Sequence, residues 1–256
     1  MNPSNLSYPA NSARKTRISS DFLAFGLVAI ILGLAGLVLA SSASSPLKAA
    51  SNWFLNLNSE KTTWYLTRSA GIVSYLLLWL STVWGLLIPT KLLGNLLSGE
   101  FTFDFHKFIS LLSLVFLGLH IAVLTADQYM PFTLSQLIVP FTSPYRPQWI
   151  GIGVISFYIL LLVTVTFYLR KRIGMKTFRY IHYSSLLAYL GAVLHAFMSG
   201  TDSSLPAVMF IYIATFSIVI YFTVYWLVNQ LVFRQGIKNK PNHQQYGNPI
   251  TTGEFK

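Results

Sequence analysis

Four of the chain's five histidines fall in two apolar stretches, two in each, and no other feature limits the possible folds as much. The first stretch, FDFHKFISLLSLVFLGLHIAVL, carries His106 and His120; the second, FRYIHYSSLLAYLGAVLHAFMSG, carries His182 and His195. Each has the length and apolarity of a membrane-crossing helix, about 20 residues. A ring nitrogen is costly in hydrocarbon and is kept there for a partner or a function. The histidines are 14 residues apart in the first stretch and 13 in the second. At the helical rise, the rings lie about 21 and 19.5 Å apart along the axis. Two such helices side by side stack two histidine–histidine sites across a bilayer. Two neutral imidazoles fill both axial positions of a haem iron, so the pattern points to two non-covalent b-type haems and electron transfer.

Composition supports a membrane setting. Only 10% of the 256 residues are charged, against about 25% in a soluble domain. There are no cysteines, which excludes disulfides, iron–sulfur clusters, zinc thiolate sites and covalently attached haem. The net charge of +11 sits in short segments beside apolar runs, so it orients the chain in a membrane rather than serving a nucleic acid. Residues 21–42 follow Arg14, Lys15 and Arg17 and are too long for a signal peptide, despite the small residues from Ala40 to Ser45. They read as a first span. Further spans are expected from Trp64 to Ile88 and at about 104–125, 149–169, 177–198 and 205–233. The fold class is therefore an all-α, six-transmembrane-helix bundle over residues 21–233, with a polar segment at 1–20 and a tail at 234–256. With the N-terminus in the cytoplasm, only Lys48, Lys61, Arg68 and Arg146 of the 18 Lys and Arg fall on the other side. Both termini are accordingly cytoplasmic.

That orientation pairs the histidines by depth: His106 with His182 in the cytoplasmic half, His120 with His195 in the outer half. One detail resists a straight helix. At 100° per residue, His120 returns to within about 40° of His106, whereas His195 ends about 140° from His182. The second helix must be overwound or bent, or must serve sites on two sides. Gly118, Ala188, Gly191 and Ala192 offer close approach, and Phe105, Phe108, Phe116, Tyr180, Tyr183, Tyr189 and Phe197 offer aromatic walls. Arg68 lies one turn into its span, and no acidic residue shares its depth in a neighbouring span. A haem propionate is its expected partner, with snorkelling to the interface as the plain alternative. The cluster Arg170, Lys171, Arg172, Lys176 and Arg179 is chiefly an orientation signal, with inner-haem propionates or an acidic soluble donor as its alternative partners. Asp202 reads as part of a plain turn, with a role at an exit site as the alternative.

The two histidine pairs, with these spacings, resemble the ferric reductase-like transmembrane domain. Ferric reductases, NADPH oxidases and the haem-binding membrane subunit of bacterial periplasmic methionine sulfoxide reductase share it. The resemblance covers roughly residues 64–200, and the phrases WYLTRSAG and HAFMSGTD resemble bacterial members. It implies an inner haem on His106 and His182, an outer haem on His120 and His195, and an arginine beside the outer haem at Arg68. It also implies the cytoplasmic membrane of a bacterial-type cell. Flavin- and nicotinamide-binding domains, which follow the membrane domain in ferric reductases and oxidases, have no counterpart in the 23 residues after the sixth expected span. FAD and NADPH are thus expected only through a separate partner. The expected function is the membrane component of an oxidoreductase. Electrons would pass from a flavoprotein or membrane quinol to an external acceptor: ferric iron, oxygen or a reductase. A relay subunit for a separate periplasmic reductase is the neighbouring reading. A haem-free proton-coupled transporter, using the histidines as relays, is the alternative from another class.

Overall fold

The computed structural model describes residues 60–90, 92, 96–127 and 130–238. The polar N-terminus, the expected first span at 21–42 and the tail beyond 238 lie outside the described residues. Within them the chain is helical, with no strand. The helices are α1 (Glu60–Leu87), α2 (Gly99–Thr125), α3 (Leu134–Ile138), α4 (Pro147–Ile173), α5 (Met175–Tyr183), α6 (Ser185–Ser199) and α7 (Pro206–Lys238). Five segments are long and apolar enough to cross a membrane: α1, α2, α4, α5 with α6, and α7. They coincide with the second to sixth spans expected from the sequence, and they make this an integral membrane protein.

Local chemistry sets the helix ends. The Ser98 hydroxyl accepts the Phe101 N–H at the start of α2, with Glu100 in the first turn. Thr133 and Gln136 form a reciprocal capping box on the short α3. Pro147 opens α4, where its missing N–H is harmless, and Arg170, Lys171 and Arg172 close it against the dipole. A single residue, Gly174, with φ +85°, turns the chain into α5.

The bundle buries hydroxyls and exposes hydrocarbon, as lipid requires. Leu187, Phe210 and Tyr221 are each more than 60% exposed, whereas Ser74, Ser81, Ser113 and Thr215 are buried. Interhelical contact in lipid relies on small and hydrogen-bonding side chains, because lipid tails are as apolar as leucine. The α1–α2 seam follows this rule. Ser74 Oγ donates to the Ser113 carbonyl at 3.0 Å, and Ser113 Oγ returns the bond to the Ser74 carbonyl at 3.1 Å. Trp84 Nε1 donates to the Thr102 carbonyl lower on the same seam, at 2.9 Å. Behind it, Tyr75, Tyr189 and Tyr212 pack together between α1, α6 and α7. These contacts hold α1 against α2 and α6, which carry His106, His120 and His195.

Candidate functional site

The two histidine pairs sit at opposite ends of the bundle, one toward Asp202 and one toward Gly174. At the Asp202 end, His120 on α2 places Nδ1 2.8 Å from the Thr67 carbonyl on α1. His195 on α6 places Nδ1 2.9 Å from the Trp149 carbonyl on α4. A carbonyl only accepts, so each Nδ1 carries the ring proton and each neutral ring keeps its lone pair on Nε2. Both rings line one cleft of about 240 Å³, together with Trp64, Arg68, Tyr75 and Tyr145. Thr67 Oγ1 and Ser199 Oγ, which belong to residues of its lining, are buried with no hydrogen-bond partner among the described residues.

Glycines make these ring contacts possible. A Cβ at Gly71 would stand 3.0 Å from His120 Nδ1, and one at Gly153 would stand 2.5 Å from His195 Nδ1. In each case the glycine is four residues beyond the accepting carbonyl, one turn along the same helix. Gly118, expected to supply the close approach at His120, does not: a Cβ there meets nothing within 4 Å. Gly191 instead brings α6 against Ser156 of α4.

Arg68 has an acidic partner that lies outside the neighbouring spans. Its Nε donates to Asp202 Oδ2 at 2.7 Å, and Nη2 pairs with Oδ1. Asp202 belongs to the 3-10 turn Thr201–Ser204, between α6 and α7. The expectation of a plain turn is corrected accordingly, because the carboxylate reaches Arg68 from a connection rather than from a span. The guanidinium also lies over the Trp64 ring, 3.8 Å from its centre. Tyr145 and Arg146 add hydrogen bonds to the carbonyls of Ser199 and Met198, fastening the end of α6.

At the Gly174 end, the His106 and His182 rings stand 6.1 Å apart, nearly perpendicular. His106 Nδ1 is 3.4 Å from Ser81 Oγ on α1, and Gly85, one turn further, lies against the ring. His182 Nδ1 is buried without a hydrogen-bond partner among the described residues, and Phe178 packs on its ring at 5.3 Å. Tyr180 and Tyr183, expected as aromatic walls, are 66% and 49% exposed and face outward. The 13-residue spacing is accommodated by a break: Ser184 separates α5 from α6, and its N–H reaches the Ile181 carbonyl, three residues back. That tighter turn winds the chain by about 20° more per residue than the α-helix, which supplies part of the mismatch of about 140°.

The structure thus brings together His106 with His182 and His120 with His195, with Arg68 at the mouth of the second site. The residues that sequence reasoning passed over are Thr67, Gly71, Ser81, Gly85, Trp149 and Gly153. A signal for four of them existed. Thr67 and Gly71 recur as Ser81 and Gly85 exactly one histidine spacing later, 14 residues along α1. Among the described residues no group of three or more His, Cys, Asp or Glu forms a metal-binding cluster.

No curated protein and no solved structure matches the chain. Residues 70–193 match the family model described as ferric reductase like transmembrane component. The matched segment contains His106, His120 and His182, and it ends two residues short of His195. The chain therefore carries a ferric reductase-like transmembrane domain over residues 70–193.

Proposed function

We propose that this domain is a two-haem electron-transfer unit, with His106 and His182 holding one b-type haem and His120 and His195 the other. The observation that carries the reading is the commitment of both Nδ1 protons at the Asp202 end to backbone carbonyls. A ligating histidine typically donates its other ring N–H in this way, which fixes the tautomer and strengthens the ligand. The rings there share a cleft, and an apolar cavity of about 150 Å³ already admits a benzene ring. At the Gly174 end, the 6.1 Å between ring centres suits two imidazoles on opposite faces of one metal, with bonds of about 2 Å each plus the ring radii.

Bound haem supplies reversible one-electron iron chemistry. The chain's own residues hold and insulate it. Glycines at 71, 85 and 153 let the imidazoles lie flat against neighbouring helices. Arg68, which already holds one carboxylate, is the cation for a propionate at the Asp202 end, and the unpartnered Thr67 and Ser199 hydroxyls are polar groups for the same edge. With cytoplasmic termini, the Gly174 end receives electrons from a flavoprotein or quinol, and the Asp202 end passes them to ferric iron, oxygen or a reductase outside.

A reduced-minus-oxidised absorption spectrum of the purified protein, with haem quantified per chain, tests this. Two b-type haems are expected, with His120→Ala or His195→Ala reducing the count to one. A colourless protein after expression with ample haem overturns the reading and leaves the histidines as proton relays in a transporter.

A further inference from the structure

The contacts around His106 admit one proton arrangement. Its backbone carbonyl can only accept, so Ser110 Oγ, 2.7 Å away, gives it its single hydrogen. The 2.6 Å contact between the Ser81 and Ser110 hydroxyls therefore takes its hydrogen from Ser81. With that hydrogen committed, Ser81 meets His106 Nδ1 only as an acceptor, at 3.4 Å. The ring proton must then sit on Nδ1, and the lone pair on Nε2. The chain of bonds starts at the ring of residue 106 and closes on its own main chain through one hydroxyl of α1 and one of α2.

The placement of Ser81 is specific. It is buried at 5% exposure, and the glycine one turn beyond it, Gly85, would put a Cβ 3.0 Å from His106 Cε1. The ring is thus laid against α1 between a missing Cβ and a hydroxyl. At His120 the same two positions on α1 hold Gly71 and the Thr67 carbonyl. Ser81 offers the ring its hydroxyl oxygen as well as the main-chain approach that Thr67 provides at His120.

We propose that Ser81, oriented by Ser110, is a positioning residue for His106, fixing the ring tautomer that presents Nε2 to a metal. The inference rests on the reading of His106 as an axial ligand. An acceptor on the far nitrogen makes an imidazole a stronger donor, and a stronger donor favours the oxidised iron. Losing the acceptor raises the midpoint potential of the haem at that end.

Two measurements decide it. In haem-free protein labelled with ¹⁵N-histidine, NMR reads the tautomer of His106, assigned by the signal lost in His106→Gln. Wild type and Ser81→Thr are expected to show protonated Nδ1. Ser81→Ala moves population to protonated Nε2, and so does Ser110→Ala, which frees the Ser81 hydrogen for the ring. In the haem-loaded protein, Ser81→Ala is expected to raise one of two midpoint potentials and leave the other in place, with Ser81→Thr restoring it. An unchanged tautomer in Ser81→Ala overturns the proposal, as does an unmoved pair of potentials. If wild type binds no haem, the function proposed above fails, while the NMR result still decides the tautomer.

Discussion

The two ends of the bundle hold their histidines by different means. At the Asp202 end both rings bond to backbone carbonyls of long helices, Thr67 in α1 and Trp149 in α4. At the Gly174 end one ring meets a serine hydroxyl at 3.4 Å and the other has no hydrogen-bond partner among the described residues. The carrier of His182 is also short: α5 has 9 residues, bounded by the Gly174 corner and the Ser184 break. A backbone acceptor cannot be removed by substitution and moves only with its helix, whereas a hydroxyl rotates. The Asp202 end is therefore held by two short main-chain contacts, and the Gly174 end by the approach of Ser81 to His106, with a hydroxyl added, and by none to His182 Nδ1 among the described residues.

If the carbonyl contacts depend on missing side chains, the largest effect should come from filling one. Gly153→Val puts a branched side chain where His195 Nδ1 lies 2.5 Å from an ideal Cβ. Overpacking of this kind costs about 1–3 kcal/mol, and here it also separates His195 from the Trp149 carbonyl. The expected outcome is loss of one haem of two, with a lower unfolding temperature. Gly118→Val, which meets open space, should retain both. Equal haem content in the two variants would break the link between missing side chains and the carbonyl contacts of the Asp202 end.

These contacts also mark what the sequence could disclose. Spans, histidine depth and pairing follow from hydropathy and spacing, because the 1.5 Å rise converts residue number into depth whatever the packing. The rotation of one helix against another does not follow, so proximity in the chain points to Gly118, while the close approach to His120 is made at Gly71. The acceptors Thr67 and Trp149 act through main-chain oxygen, to which residue type is blind. Asp202 lies in a connection, and a turn between two helices reaches Arg68 as readily as a residue of a neighbouring span does. The α1 hydroxyls were legible: positions 67, 74 and 81 repeat every seven residues, as do 106, 113 and 120 on α2. A seven-residue repeat is the mark of a continuous seam between two helices.

A middle-sized effect is expected at the mouth of the Asp202 end. Both partners of the Arg68–Asp202 pair are partly shielded, with side chains 25% and 15% exposed. Exposed pairs contribute about 0.2–1 kcal/mol and buried ones cost about 3–5 kcal/mol when halved, so Asp202→Asn should destabilise by about 1–2 kcal/mol. Thermal unfolding in detergent, at low and at high salt, measures this. The pair ties α1 to the turn after α6, so its loss should loosen only this end, leaving the His106 site unchanged. A shift in both midpoint potentials by equal amounts would mean that the two ends are not separate.

The smallest effect tests what lies between them. Ser74 and Ser113 are the middle members of the two seven-residue series, one step from each histidine level, and they exchange hydroxyl–carbonyl bonds across the seam. Hydrogen bonds between membrane helices contribute about 0.6 kcal/mol on average. Each carbonyl involved has its helical bond as well, so Ser74→Ala or Ser113→Ala leaves no acceptor bare. Each single variant should therefore lose about 0.6 kcal/mol, with two haems retained and both potentials unmoved. The seam would then be packing alone, and the difference between the ends would arise at the histidines themselves. Loss of haem from either end in Ser74→Ala would instead make the seam the element that sets both sites, and the contrast drawn from the carbonyl and hydroxyl acceptors would be secondary to it.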